Sequence, residues 1–205
     1  QADLLAAWAL GIRSIVALTG DAVTIGDSPE RKGVFEVNSI GLLHAIDTLN
    51  KGKDLAGNEL KGAPQFFSGV VVNPNARNSA AEIRRLKKKK EAGARYALSQ
   101  PVFDVGAAVQ FLKDAAEAEI PIFLGLLPLK SAKAAESIVK IPGIRISEAV
   151  SKRLASMEEG DLSEFFLAEC LLIARETRGL VAGFHVVSGV TPLLALELGR
   201  RLAGW

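Results

Sequence analysis

With 205 residues, 49% of them hydrophobic and 23% charged, the chain is long enough to bury a substantial core and is globular rather than disordered. A formal charge of +2 supplies no field that would by itself attract a nucleic acid, and the apolar stretches are shorter than the ~20 residues that cross a bilayer, so neither nucleic acid nor membrane is an expected partner. The single Cys170 excludes an internal disulfide and has no company at metal-ligand spacing, which fits a reducing, cytoplasmic setting without a metal site.

The chain opens at Gln1 on QADLLAAWALG, which already reads as helix through Leu4, Leu5 and Trp8. No signal sequence precedes it, and the start reads as lying part-way through a fold. Short runs rich in β-branched residues then follow: SIVAL (14–18), FFSGVVV (66–72), RYALS (95–99), IPIFLGL (120–126) and VAGFHVV (181–187). Amphipathic helical stretches follow them at 39–50, 79–92, 105–118, 131–139 and 191–203, with extra helices at 147–157 and 161–178 before the last strand. Helix starts are marked by the capping-box pattern Ser79-Ala-Ala-Glu82, by Asp104, and by Asp161-Leu-Ser-Glu164. Gly52 and Gly179 stand where C-terminal glycines belong.

Strands that are apolar on nearly every residue need cover on both faces, which means parallel strands with crossover helices. Five β-α units follow the leading helix. A closed (β/α)8 barrel needs eight units and about 250 residues, so either three units are missing upstream or the sheet is open and doubly wound. No Gly-rich GxGxxG turn follows any strand, which favours the barrel. The expected architecture is therefore α/β: a TIM barrel of which residues 1–205 form a single, N-terminally incomplete domain contributing strands 4 to 8.

In parallel α/β folds the chemistry collects at the C-terminal strand ends. Those ends carry Thr19-Gly20-Asp21, Asn73-Pro74-Asn75, Gln100 with Asp104, Pro128-Leu129-Lys130, and His185 with Ser188. The set offers no metal cluster and no GxSxG nucleophile elbow. Neutral amides and one acid make a surface for a polar, planar molecule, with the difficult chemistry left to a cofactor.

The segments ALGIRSIVALTGD, KGVFEVNSIGLL, NPNA, EIRRLKKKKEAGARYALSQPVFD and GLLPLKS together resemble the flavin-dependent methylenetetrahydrofolate reductases. The likeness is nearest to the branch whose reductase module can be joined to a homocysteine methyltransferase. It implies a (β/α)8 barrel binding FAD on its rim and an enzyme of one-carbon metabolism that feeds methionine synthesis. NAD(P)H would reduce the flavin and leave; the flavin would then reduce 5,10-methylenetetrahydrofolate to 5-methyltetrahydrofolate.

By this resemblance Asp21 is the acid beside flavin and pterin, where a carboxylate would stabilise the cationic iminium formed as the methylene bridge opens. Loop capping is its plain alternative. Gln100 corresponds to the glutamine contacting folate and nicotinamide, its amide offering donor and acceptor together. Lys88 and Lys89, within the run RRLKKKK (84–90), correspond to basic residues that hold the FAD diphosphate, although a lysine run is ordinarily a solvated helix face. Glu82 falls near the FAD ribose and is equally explained by its capping box. Thr19, Gly20, Asn73, Arg85 and Phe35 stand at further FAD-contacting positions.

His185 reads as a satisfied barrel histidine, His44 as an exposed helical one, and Asp104 as an N-cap. Lys90 shares a stripe with Ile83 and Leu86 and must snorkel. No arginine stands at the start of the final helix, where some relatives carry one for the folate. The resemblance also puts the proton-donating glutamate upstream of Gln1, so the chain alone is expected to be inactive. A non-catalytic partial barrel that binds flavin or a partner protein is the rival reading. NADH against NADPH, homo-oligomerisation and an attached methyltransferase domain stay open.

Overall fold

The computed structural model describes residues 1–20, 36–189 and 191–204. Chain contacts divide it into two compact units, Gln1–Val71 with Arg85–Ala97, and Val72–Arg84 with Leu98–Trp205.

The first unit begins with α1 (Ala2–Ala9), β1 (Ser14–Ala17) and α2 (Ser39–Asn50), and holds most of β2 (Phe67–Val72). β1 and β2 are parallel, with Ser14 opposite Phe67 and Ala17 opposite Val70. α2 starts where expected because the Asn38 side chain accepts from the backbone N–H groups of Ile40 and Gly41. Its face of Leu43, Ile46 and Leu49 is buried, and Gly52 just beyond takes φ +78, a left-handed helix ending that glycine adopts without steric cost. Asn50 fastens the approach to β2 by accepting from the Phe66 N–H at 2.8 Å and donating to its carbonyl at 2.9 Å. Gly69 lets the Tyr96 ring lie against the β2 backbone, where any Cβ would collide with it. The Tyr96 ring stacks on Phe67 at 5.2 Å, and its hydroxyl meets Ser14 Oγ at 2.9 Å.

The two units share α3 (Ser79–Glu91) and β3 (Tyr96–Pro101) in sequence. The second then carries α4 (Val105–Ala115), β4 (Ile122–Leu126), α5 (Ala132–Ile138), α6 (Glu148–Ala155), α7 (Leu162–Thr177), β5 (Gly183–Val186) and α8 (Pro192–Ala203). β4 and β5 are parallel, with Phe123 opposite Gly183. An apolar cluster of Phe103, Leu127, Leu129, Ile144, Leu162 and Phe166 lies beneath the loops that leave the strand ends. Asp104 caps α4 by accepting from the Ala107 N–H at 2.8 Å.

The sheet order is β1-β2-β3-β4-β5, each strand beside its sequence neighbour. A doubly wound sheet reverses its order at a switch point; a barrel never does. The winding is therefore that of consecutive barrel strands.

Three local expectations are corrected. The cap of α3 is Asn78, whose Oδ1 accepts from the Ala81 N–H at 2.9 Å, so Ser79 and Glu82 form no capping box. Asp161 precedes α7 but makes no side-chain cap bond; a short 3-10 turn, Glu159–Asp161, leads into the helix instead. Gly179 takes no left-handed conformation after α7.

Candidate active site

Residues at strand ends inherit their positions from the strand hydrogen bonding beneath them. In the first unit Thr19 and Gly20 lie just beyond β1. Thr19 Oγ1 accepts from the Ser39 N–H at 3.3 Å, which ties this segment to the first turn of α2. Gly20 is exposed, and a Cβ built on it would meet nothing within 4 Å among the described residues. Asp21 and Phe35 lie outside the described residues.

The lysine run separates into an outer and an inner side. Arg85 and Lys88 are exposed, whereas Lys89 is only 8% exposed and donates from Nζ to the Val71 carbonyl at 2.6 Å. The 100° step between neighbouring helical residues causes the split: Leu86 and Lys89, three apart, share the buried stripe, and Lys88 falls off it. Lys90 is half-buried, beside a stripe whose Ile83 and Leu86 are fully covered.

In the second unit Asn73 follows the last residue of β2. Its N–H donates to Glu82 Oε1 at 3.1 Å, and its Oδ1 accepts from the Asn75 N–H at 3.0 Å. Glu82 is 8% exposed, so this carboxylate faces inward and holds the strand tip instead of capping its helix. Nearby, Ser79 Oγ is buried with no hydrogen-bond partner among the described residues. Asn75 donates from Nδ2 to the carbonyls of Pro101 at 2.9 Å and Gly143 at 3.1 Å.

Gln100 lies inside β3, as its second-last residue, and is half-buried. Its neighbour Ser99 is a junction. Ser99 Oγ donates to the Gln100 carbonyl and accepts from the Gly125 N–H, both at 2.8 Å. The Ser99 carbonyl meets His185 Nε2 at 2.8 Å, so His185 is a satisfied histidine that links β5 to β3. Gly125 is required here: a Cβ would stand 2.7 Å from Ser99 O and 2.9 Å from His185 Nε2. Sequence reasoning missed both Ser99 and Asn75 as positioning residues, since the partners that make them junctions (Gly125 and His185 for Ser99, Pro101 and Gly143 for Asn75) lie 26 residues or more away.

Among the described residues no three His, Cys, Asp or Glu side chains gather as a metal set, and no helix is long and apolar enough to cross a membrane. His44 is exposed. Burial pushes the Cys170 thiol up to about 12, an unreactive protonated group.

Consecutively wound parallel strands with polar groups at their tips define an α/β protein of the kind found in a partial (β/α)8 barrel. The chain belongs to the methylenetetrahydrofolate reductase family, whose profile matches residues 1–188. It is 30% identical over 146 residues to the 5,10-methylenetetrahydrofolate reductase of Salmonella typhimurium, covering 70% of this chain and 44% of that protein. The Escherichia coli protein of the same name is 28% identical over 154 residues, covering 74% of this chain and 47% of its own length. The chain thus spans about half the length of these relatives. A solved structure, described as an uncharacterized protein from Clostridium thermocellum that binds two copies of 5-methyl-5,6,7,8-tetrahydrofolic acid, matches with a TM-score of 0.56 at 23% identity. That match covers 68% of this chain and 54% of the other, and it establishes likeness of fold.

Proposed function

We propose that the enzyme to which these residues belong reduces 5,10-methylenetetrahydrofolate to 5-methyltetrahydrofolate with NAD(P)H and FAD in a ping-pong sequence, that these strands are the fourth to eighth of its eight-stranded barrel, and that they need the upstream strands for activity. The observation that carries the reading is the family match along residues 1–188, supported by strand order and by Gln100 and Asn73 at strand ends. The folate-binding description of the Clostridium thermocellum protein points the same way.

The residues present fit a phosphorylated, ribose-bearing cofactor. Lys89 is a buried cation, Glu82 a buried carboxylate, and Ser79 Oγ a buried hydroxyl left without a partner among the described residues. Buried polar atoms are nearly always satisfied, so a ligand oxygen accounts for that hydroxyl economically. Lys89 and Lys88 would attract the diphosphate, Lys89 from the covered face; Glu82 and Arg85 would lie along the nucleotide, with Asn73, Thr19, Gly20 and Phe35 at the remaining contacts. FAD, when bound, accepts a hydride from NAD(P)H and delivers it to the folate.

The chain's own residues do the rest. Asp21 holds a negative charge beside the substrate as its methylene bridge opens to a cationic iminium, stabilising that cation more than the neutral substrate. Gln100 fixes the pterin edge through one donor and one acceptor. Its backbone carbonyl accepts from Ser99 Oγ at the Ser99, Gly125 and His185 junction, which supports a role for this strand end in holding the pterin.

Asp21→Asn tests the reading through the two half-reactions measured separately. Folate reduction should be lost, while FAD content and flavin reduction by NAD(P)H are largely retained. Equal loss of both half-reactions would remove the role assigned to Asp21.

A further inference from the structure

Both peptide groups that flank Gln100 are held by side chains. On its N-terminal side the Ser99 carbonyl meets His185 Nε2 at 2.8 Å. On its C-terminal side the Gln100 carbonyl accepts from Ser99 Oγ at 2.8 Å.

The direction of each proton is fixed. The Gly125 N–H can only donate, so Ser99 Oγ accepts it at 2.8 Å and has its own proton left for the Gln100 carbonyl. A carbonyl can only accept, so the imidazole carries a proton on Nε2. Ser99 is 3% exposed, which gives its hydroxyl these partners instead of solvent.

The reach of His185 depends on a glycine. His185 stands on β5 opposite Gly125 of β4, and β3 lies on the far side of β4. The ring passes over β4 through the space that a Cβ at position 125 would fill, since that atom would stand 2.9 Å from Nε2. Pro101 adds a third restraint, because its ring confines the residue before it to extended backbone. With the planar peptide groups on both sides held, the two backbone dihedrals of Gln100 are held as well. The direction in which its side chain leaves the strand follows from them, and the half-buried amide has only its own χ angles left to order.

We propose that Ser99 and His185 are positioning residues for Gln100: they fix the backbone from which its amide is presented, so that the pterin meets a donor and an acceptor already aimed. This rests on the reading of Gln100 as the amide that faces folate.

The test is a double-mutant cycle in the intact, flavin-loaded enzyme to which these residues belong. It reads the calorimetric affinity for 5-methyltetrahydrofolate and the rate of the folate half-reaction, at temperatures where thermal midpoint and FAD content show each variant folded. Gln100→Ala should cost roughly tenfold or more in both. His185→Leu, which removes the donor, should cost roughly threefold to tenfold through misplacement of the amide. His185→Gln, whose amide nitrogen reaches about as far along the side chain as Nε2, should recover most of that loss. Added to Gln100→Ala, His185→Leu should cost nothing further, because the group it aims is gone; a merely structural role would exact its full effect in either background. Ser99→Ala should give the same pattern, and it carries the test if His185→Leu does not fold. The proposal is overturned if these losses persist undiminished beside Gln100→Ala, or if both single variants bind and reduce folate like wild type. Should Gln100→Ala itself leave affinity and rate unchanged, the reading of Gln100 fails first and removes the object of the positioning.

Discussion

Gly125→Ala should couple a loss of stability to a loss of folate handling. The added methyl group would stand 2.7 Å from Ser99 O, 2.9 Å from His185 Nε2 and 3.2 Å from the Gln100 carbonyl carbon. Two of these three neighbours are main chain in β3, so rotamer changes cannot relieve the overlap; β3 and β4 must separate by several tenths of an ångström. Overpacking of this kind costs about 1–3 kcal/mol. Distorting the His185 bond to Ser99 O and the Gly125 N–H bond to Ser99 Oγ adds about 1 kcal/mol. A total near 3 kcal/mol lowers Tm by roughly 6–12 °C in a chain of this size. The same displacement moves Gln100, so the folate half-reaction should slow by about tenfold or more at temperatures where the variant is still folded. Flavin reduction by NAD(P)H should change less. Calorimetric unfolding and stopped-flow half-reactions read the two effects. Wild-type Tm in Gly125→Ala would show that the junction is looser than its geometry requires, and wild-type folate reduction would uncouple Gln100 from it.

Four further outcomes are expected. His185→Ala leaves the Ser99 carbonyl short of a partner and should destabilise by about 1–3 kcal/mol, measured by urea unfolding. Lys89→Met should keep the fold, with Tm within a few degrees, and lose at least about tenfold in FAD affinity, whereas Lys88→Met should cost far less; flavin fluorescence titration compares them. Cys170 is raised from 9.0 to about 12 by burial, so its contribution to stability is whole below pH 9 and declines as pH climbs toward 12, by up to ~1.4 kcal/mol per pH unit. Cys170→Ala should therefore show a shallower fall of Tm from pH 8.5 to 10.5 than wild type; equal slopes would refute the assignment. Asn75→Ala removes two part-buried hydrogen bonds that tie the loop between α5 and α6 to the end of β3 and should destabilise by about 1–3 kcal/mol, measured by urea unfolding.

Most of the fold could be read from periodicity. β-branched runs marked the five described strands, and the helices expected at 39–50, 105–118 and 191–203 from apolar spacing are found at Ser39–Asn50, Val105–Ala115 and Pro192–Ala203. What failed was local competition. Asn78 and Ser79 are adjacent, both able to cap, and the asparagine took the helix end while Glu82 turned to Asn73. Glu164, read as part of a helix-start signal, instead receives both guanidinium nitrogens of Arg201, at 2.6 and 3.0 Å, which holds its carboxyl below the usual range. Such choices depend on partners nine and 37 residues away that periodicity does not reveal. At the strand tips, position alone nominated Asn73 and Gln100 as candidates, and they stand just after β2 and within β3. The contacts of Ser99 with Gly125 and His185, and of Asn75 with Pro101 and Gly143, could not be read in the same way because they are made to tertiary neighbours.

The inner face of α3 connects these strands of reasoning. A helix that served packing alone would continue Ile83 and Leu86 with apolar residues at 82 and 89. It buries Glu82 and Lys89 there, each 8% exposed, with the Asn73 N–H on one and the Val71 carbonyl on the other. Replacing buried charges by apolar residues of similar volume is often neutral or stabilising, so such charges are weak evidence for stability. Each charge is held by main chain of its own unit, Glu82 by the Asn73 N–H in one and Lys89 by the Val71 carbonyl in the other. The lysine run therefore divides by helical phase: Lys88 stays on the exposed face, and Lys89 turns to the β2 backbone.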